Sequence, residues 1–267
     1  MELGRVLEYE AAGRGDAILF IHGAIVADSF APLMREEALS GFRSIRYRRR
    51  GFGRSATPSE PPTIEEHARD ARALLVDLGV SEAHVVAHSG GGPIAVQLAV
   101  DDPGMVRSMA LLEPALMNAA MAAGFHEMIT PLIEMHANGR SAEAVERWMS
   151  AGNADWKALI EQRIPGAAAQ AIADAAGTFD FDLRAMRVWD FDAVGASRIS
   201  QPVLYVTGTR SAHRLNIAAM FQDAVQHTRT EAIPDADHIV PMTDPSAVAA
   251  VIAAFLRDPH ASGPTRG

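Results

Sequence analysis

The stretch VVAHSGGGPIA, Val85 to Ala95, constrains this chain more tightly than any other. Its β-branched pair reads as the end of a buried strand, while Pro93 followed by Ile94, Ala95, Val96 and Leu98 reads as a helix just inside its first turn. Ser89 therefore sits on a sharp strand-to-helix turn that strains its backbone. Strand and helix can approach that closely only where the flanking residues are small, as Ala87, Gly91 and Gly92 are.

Elsewhere strand and helix signals alternate, which points to parallel βαβ units. AILFIHG from Ala17, FRSIRYRRRG from Phe42, AHVVAHS, VRSMALLEP (Val106 to Pro114), VLYVTG after Pro202 and a run near Thr228 to Ile233 read as strands. Thr63 to Val80 is the clearest helix. It opens with a capping box, Thr63 to Glu66, and sets Ile64, His67, Ala68, Ala71, Leu74, Leu75 and Leu78 on one stripe. His67 on that stripe reads as a half-buried packing residue. Further helices are expected over Gly91 to Val100, near Leu215 to Val225, and from Asp244-Pro245 to about Leu256. The tail DPHASGPTRG reads as disordered.

Between Leu116 and about Ile199 the strand signal disappears. This alanine-rich stretch holds all three tryptophans, Trp148, Trp156 and Trp189, and six methionines, Met117, Met121, Met128, Met135, Met149 and Met186. The expectation is a helical lid over residues 116–199 inserted into a core of residues 1–115 and 200–258. Its side chains would fill a small core of their own, with Trp189, Met117 and Trp148 assigned to an adaptable apolar substrate pocket.

Composition excludes several classes. The 267 residues, 48% hydrophobic, can bury one large core. With no cysteine, disulfides, thiolate metal sites and a cysteine nucleophile are ruled out. A net charge of −9 argues against nucleic acid, and the basic run RSIRYRRRGFGR from Arg43 reads as a solvated loop beside a strand. No apolar run reaches the roughly 18 to 20 residues of a membrane span, and MELGRVLEYE lacks the features of a secretory signal, so a cytoplasmic protein is expected. GGG also lacks the later glycine and the acidic residue of a dinucleotide site. The expected partner is a small-molecule substrate, with no metal or cofactor, in a monomer or homodimer.

The order His22-Gly23, Arg50-Gly51-Phe52-Gly53-Arg54-Ser55, Ala87-His88-Ser89-Gly90-Gly91, helical insert, VLYVTG and Asp237-His238 resembles the α/β-hydrolase family over nearly the whole chain. That resemblance implies an α/β fold with an eight-stranded, mostly parallel sheet, a serine nucleophile on the turn, a histidine after the last strand, and an acid between them in chain order. It also implies that Ala24 supplies a backbone N–H to an oxyanion and that His22 shapes that loop.

The chemistry can be argued from the residues as well. A serine hydroxyl is a poor nucleophile near neutral pH and needs a base, for which an imidazole is suited. His238, in PDADHIVP at the same sheet edge as Ser89, is that base. The other histidines have duller explanations: His84 at a strand start, His88 on the turn, His126 and His136 in the insert. Gly90 follows the nucleophile at a helix start, where unpaired amides favour an anion. The third group departs from the commonest family pattern, because Ser211 stands where an aspartate is usual. Glu113 of LLEP is the preferred acid, since on a neighbouring strand about 4.8 Å away it would share a cleft with Ser89. Haloalkane dehalogenases and fungal zearalenone lactonases also carry the acid after this strand. Asp190 and Asp192 are runners-up, and Asp235 and Asp237 lie too close to His238 along the chain. Arg48 replaces a frequent aspartate without an evident reason, and Arg50 reads as structural.

Three functions fit: an ester or lactone hydrolase working through an acyl-enzyme, which is preferred; a carbon–carbon bond hydrolase or cofactor-free oxygenase or lyase in which Ser89 only orients; and a ligand-binding receptor with vestigial catalysis. Dehalogenation and epoxide hydrolysis in the family's usual manner would need an aspartate at position 89.

Overall fold

The computed structural model describes residues 7–192, 194–211, 215–225 and 227–258. All six strands expected from the sequence form: β2 Ala17–Ile21, β3 Arg43–Tyr47, β4 Ala83–His88, β5 Val106–Leu112, β6 Val203–Gly208 and β7 Thr228–Ile233. A further strand, β1 Tyr9–Ala12, pairs antiparallel with β3. The sheet runs β1-β3-β2-β4-β5-β6-β7, parallel apart from β1. Among the described residues it has seven strands, not the eight that the resemblance implied. β1 gave no sequence signal because all four of its residues, YEAA, are exposed and carry no apolar alternation.

β2, β4 and β6 are buried along their whole length, as expected of parallel strands covered on both faces. Alternate side chains serve two cores. Leu19, Ile21, Val85, Ala87, Met109, Leu111 and Tyr205 face α1 (Ile64–Asp77), α2 (Gly91–Asp101) and α8 (Leu215–Ala224). Ile18, Phe20, Val86, Ala110, Leu112, Leu204 and Val206 face α10 (Pro245–Leu256) and the short turns carrying Leu33 and Leu39. Each large apolar side chain buried this way contributes about 1.5 to 3 kcal/mol. The helix starts match their signals: Thr63 and Glu66 form the reciprocal capping box of α1, and Asp244 caps α10 by accepting from Ala247 N.

Among the described residues five α-helices lie between β5 and β6: α3 Ala119–Ala137, α4 Ser141–Gly152, α5 Trp156–Arg163, α6 Ala167–Ala173 and α7 Leu183–Val188. A π-helical turn, Gly177–Asp182, leads into α7. Trp156, Ile160, Val145 and Leu183 of this insert are buried in the same apolar cluster as the α1- and α2-facing side of the sheet, so the insert shares the main core and does not fill a separate one as the sequence suggested. Between β7 and α10, α9 spans Val240–Thr243, just after His238. The basic run is not the solvated loop expected: its first five residues are β3, and five of its arginines pair with acids elsewhere in the chain. Arg46 meets Glu10 and Asp28, Arg48 meets Asp28 and Glu8, Arg49 meets Asp182, Arg50 meets Asp70, and Arg54 meets Glu8. Arg48 thus has a reason the sequence hid: Asp28 on the loop after β2 accepts from its Nε at 3.2 Å and its Nη2 at 2.5 Å.

The close approach at the strand-to-helix turn is real. A Cβ on Gly91 would overlap the carbonyl oxygen of Ile21, and one on Gly92 would overlap the Pro114 ring. Gly91→Ala should therefore lower stability by about 2 to 3 kcal/mol in denaturant unfolding, because the obstructing atom is backbone. Gly124→Ala, on the exposed face of α3 with open space around it, should raise stability by about 0.5 to 1 kcal/mol.

Candidate active site

β4 pairs with β5 so that His88 lies level with Leu112, and β5 pairs with β6 so that Leu112 lies level with Val206. One residue beyond those pairs, at the carboxyl edge, stand Ser89, Glu113 and Thr207. Ser89 has φ +49° and Glu113 φ +47°, left-handed conformations that cost a non-glycine residue energy and persist only where neighbours hold them. Ser89 N donates to Leu112 O at 3.0 Å, and Ser89 O accepts from Gly92 N and Ala115 N at 2.9 Å each. Glu113 N donates to Val206 O at 2.9 Å.

His238 Nε2 lies 2.9 Å from Ser89 Oγ, and His238 Nδ1 lies 3.3 Å from Glu113 Oε2. A carboxylate can only accept, so the imidazole proton belongs on Nδ1 and Nε2 is left to accept from the hydroxyl. Glu113 is 0% exposed, and its other oxygen accepts from Gly208 N at 2.7 Å and Thr207 Oγ1 at 3.0 Å. These donors meet the desolvation cost of a buried carboxylate. Ser211 is buried after β6, with its amide on Gly208 O at 3.0 Å. The structure thus brings Ser89, His238 and Glu113 together. Asp190, a runner-up, instead accepts from Asp192 N within the insert at 3.1 Å. Asp237 accepts from Ile239 N at 3.0 Å and from Asn153 Nδ2 of the insert at 2.6 Å, which ties the His238 loop to α4. His88, with a dull role in the sequence, donates from Nε2 to the carbonyl of His238 at 2.7 Å.

Ala24 N lies beside the start of α2: a Cβ on Gly90 would stand 3.6 Å from Ala24 N and 3.1 Å from Met186 Sδ. Ser89 is 7% exposed beneath this cover. Met186, which the sequence did not single out from the other methionines, therefore lies against the start of α2 beside the candidate site. Trp189 is buried with its Nε1 donating to Gln97 Oε1 of α2 at 3.0 Å. Met117 and Trp148 are half-buried and pack against the main core.

Behind the loop after β2 lies a buried group the sequence did not reveal. Arg49 is 1% exposed, pairs with Asp182 of the π-helical turn, and donates to the carbonyls of His22 and Gly23. Burial holds the His22 imidazole well below its ordinary value, helped by Arg49. Burial also lowers His67 to about 3; among the described residues its ring nitrogens make no hydrogen bond, although Nε2 lies 3.6 Å from Asp182 Oδ1, and the side chain is wholly buried, not half-buried as its place on the stripe suggested. Burial pushes the Asp182 carboxyl up against the opposing pull of Arg49. Among the described residues, no group of three or more histidines and acids is arranged to hold a metal ion. No helix there is long and apolar enough to cross a membrane.

A family model for the alpha/beta hydrolase family matches residues 18–251. The chain belongs to the alpha/beta hydrolase family. Over 205 residues it is 30% identical to a protein of Variovorax paradoxus provisionally named a carbamate hydrolase, covering 74% of this chain and 76% of that protein. Other curated relatives are matched over shorter stretches, and four of them over 22% to 40% of their own length. One of these is a non-heme chloroperoxidase of Kitasatospora aureofaciens, 33% identical over 106 residues, or 39% of this chain and 38% of that protein. An esterase from Thermogutta terrifontis superposes with a TM-score of 0.81 at 23% identity, covering 94% of this chain and 93% of that one. The enol-lactonase from Burkholderia xenovorans gives 0.78 at 23% identity, covering 94% and 96%. At these identities the likeness is one of fold.

The buried histidines set an acid limit on stability. A group whose folded value is depressed below the unfolded one takes up its proton in the unfolded chain first, so stability falls as pH drops below the ordinary imidazole range. Between about pH 6 and about pH 4, neutral His67 should lose about 1.4 kcal/mol of its contribution per pH unit. Asp182, raised by burial, works in the opposite direction as pH falls through its own folded value. Urea unfolding across this range should show a shallower acid slope for His67→Leu than for the wild type; equal slopes would contradict the assignment.

Proposed function

We propose that this protein is a serine hydrolase that cleaves a carboxylic ester or lactone of a medium-sized, apolar molecule through an acyl-enzyme. The observation that carries the reading is the hydrogen-bonded line from Ser89 Oγ through His238 to the buried Glu113 carboxylate. Ser89 Oγ attacks the substrate carbonyl carbon while His238 Nε2 takes its proton. The carbonyl oxygen, now negative, accepts from Ala24 N–H and Gly90 N–H, and each such donor contributes about 3 kcal/mol to the barrier reduction. Collapse of the intermediate breaks the bond to the leaving alkoxide, which takes the proton back from His238 Nε2–H. A water molecule then gives its proton to His238 and attacks the acyl carbon, and the departing serine oxygen is reprotonated as the acid is released. Glu113 offsets the imidazolium charge in both halves and fixes the Nδ1–H tautomer.

The fold neighbours named an esterase and an enol-lactonase, and the relative named for carbamates, agree with attack on an acyl carbon. The insert over residues 116–199 acts as the lid in this reading. Its α7 puts Met186 against the oxyanion space, and the low exposure of Ser89 means that substrate entry requires this cover to shift.

The test is steady-state kinetics on a panel of p-nitrophenyl esters and lactones. Ser89→Ala should abolish nearly all turnover, and Glu113→Gln should reduce kcat by about 10³-fold or more. Asp190→Asn should leave kcat within about twofold, because the half-buried Asp190 accepts from Asp192 N and the acid bonded to His238 is Glu113. Wild-type kcat/KM should rise with pH as His238 loses its proton. Substantial activity in Ser89→Ala would favour a proton-abstraction enzyme in which the hydroxyl only orients.

A further inference from the structure

The loop that carries Ala24 is held from behind by an unusual number of bonds. Arg49 N donates to His22 Nε2 at 3.1 Å, so His22 carries its proton on Nδ1, which donates to Gly23 O at 2.7 Å. Arg49 Nη1 donates to His22 O, and Arg49 Nη2 donates to Gly23 O at 3.1 Å. The guanidinium is itself fixed by Asp182, whose Oδ1 accepts from Nε at 3.3 Å and whose Oδ2 accepts from Nη2. Just beyond Ala24, Ile25 has φ +71°, a conformation a β-branched residue adopts only under constraint, and its N–H donates to Thr178 Oγ1 at 3.0 Å. Asp182 and Thr178 both belong to the π-helical turn of the insert.

The peptide plane gives these contacts a consequence. Gly23 C=O and Ala24 N–H belong to one planar trans unit, so they point in opposite directions. Whatever pins the carbonyl toward Arg49 turns the N–H toward the space beside Gly90, and a flip of that unit would replace the donor with a carbonyl oxygen. We propose that Arg49, braced by Asp182 and seconded by Thr178, is a positioning residue that keeps the Gly23–Ala24 peptide in its donating orientation, so that the insert completes the oxyanion site. This rests on the serine-hydrolase reading above. It makes seating of the insert a condition for turnover rather than a means of covering substrate alone.

Arg49 and Asp182 also form a buried ion pair, and a structural role alone would show in stability. Replacing both charges with apolar side chains of similar volume separates the two roles, because such exchanges are often neutral for folding. Arg49→Met combined with Asp182→Leu should keep Tm near the wild-type value, whereas Asp182→Asn alone should lower it. The double variant should nevertheless lose about 10²-fold in kcat with KM changed little, the loss expected for one oxyanion donor. Its pH dependence of kcat/KM should match the wild type, because His238 and Glu113 are untouched. Thr178→Val, which keeps the side-chain shape and removes the acceptor of Ile25 N, should also lower kcat with little change in KM, and it decides the matter if the double variant does not fold. Wild-type kcat in the folded double variant, or in Thr178→Val if the double variant does not fold, overturns the proposal, provided that Ser89→Ala is inactive. If Ser89→Ala retains turnover, the underlying hydrolase reading fails instead.

Discussion

Two left-handed residues on adjacent parallel strands set the geometry on which the site depends. Ser89 directly follows β4 and Glu113 directly follows β5, and the register makes them neighbours at the carboxyl edge of the sheet. Each is an L-residue where glycine would be at ease, so each costs energy that surrounding contacts must offset. At Ser89 the offset comes from backbone bonds to Leu112, Gly92 and Ala115, and from a helix that can lie against β2 because Gly91 has no side chain. At Glu113 it comes from the carboxylate itself, which ties the turn to Gly208 and Thr207.

In the proposed mechanism, that second arrangement is what lets Glu113 serve where Ser211 offers no carboxylate. The end of β6 still takes part, but as a donor: Gly208 N and the Thr207 hydroxyl point at Glu113 across one strand spacing. A fully buried acid without such donors would be driven toward its neutral form and could not balance an imidazolium. His238 is held on its other side too. His88 holds its carbonyl, and Asp237 fastens its loop to Asn153 of the insert.

The sequence carried the elements whose physics is local. Apolar runs gave six strands, the Thr63–Glu66 box gave a helix start, and the serine before three glycines gave the turn. Ser89, His238 and Glu113, which the structure brings together, could be picked as candidates because each follows the carboxyl end of a recognisable strand. The eighth strand came from resemblance alone, and the exposed β1 had no apolar pattern to read. The Arg49–Asp182 pair spans 133 positions and joins a loop to a π-helical turn, and nothing in periodicity or spacing links the two. Trp189, assigned to the pocket from its aromatic character, is buried with its N–H engaged by Gln97, a contact that the sequence did not suggest. Aromatic content marks buried surface, and which surface is decided by packing that composition does not encode.

Peptide mapping by mass spectrometry after reaction with a fluorophosphonate tests the central claim most directly. The account predicts one phosphonyl adduct, on the hydroxyl of Ser89, formed in step with the loss of esterase turnover and greatly slowed by removing the His238 imidazole. Ester turnover that continues while Ser89 is fully modified, or a stoichiometric adduct on another residue with Ser89 untouched, would contradict it.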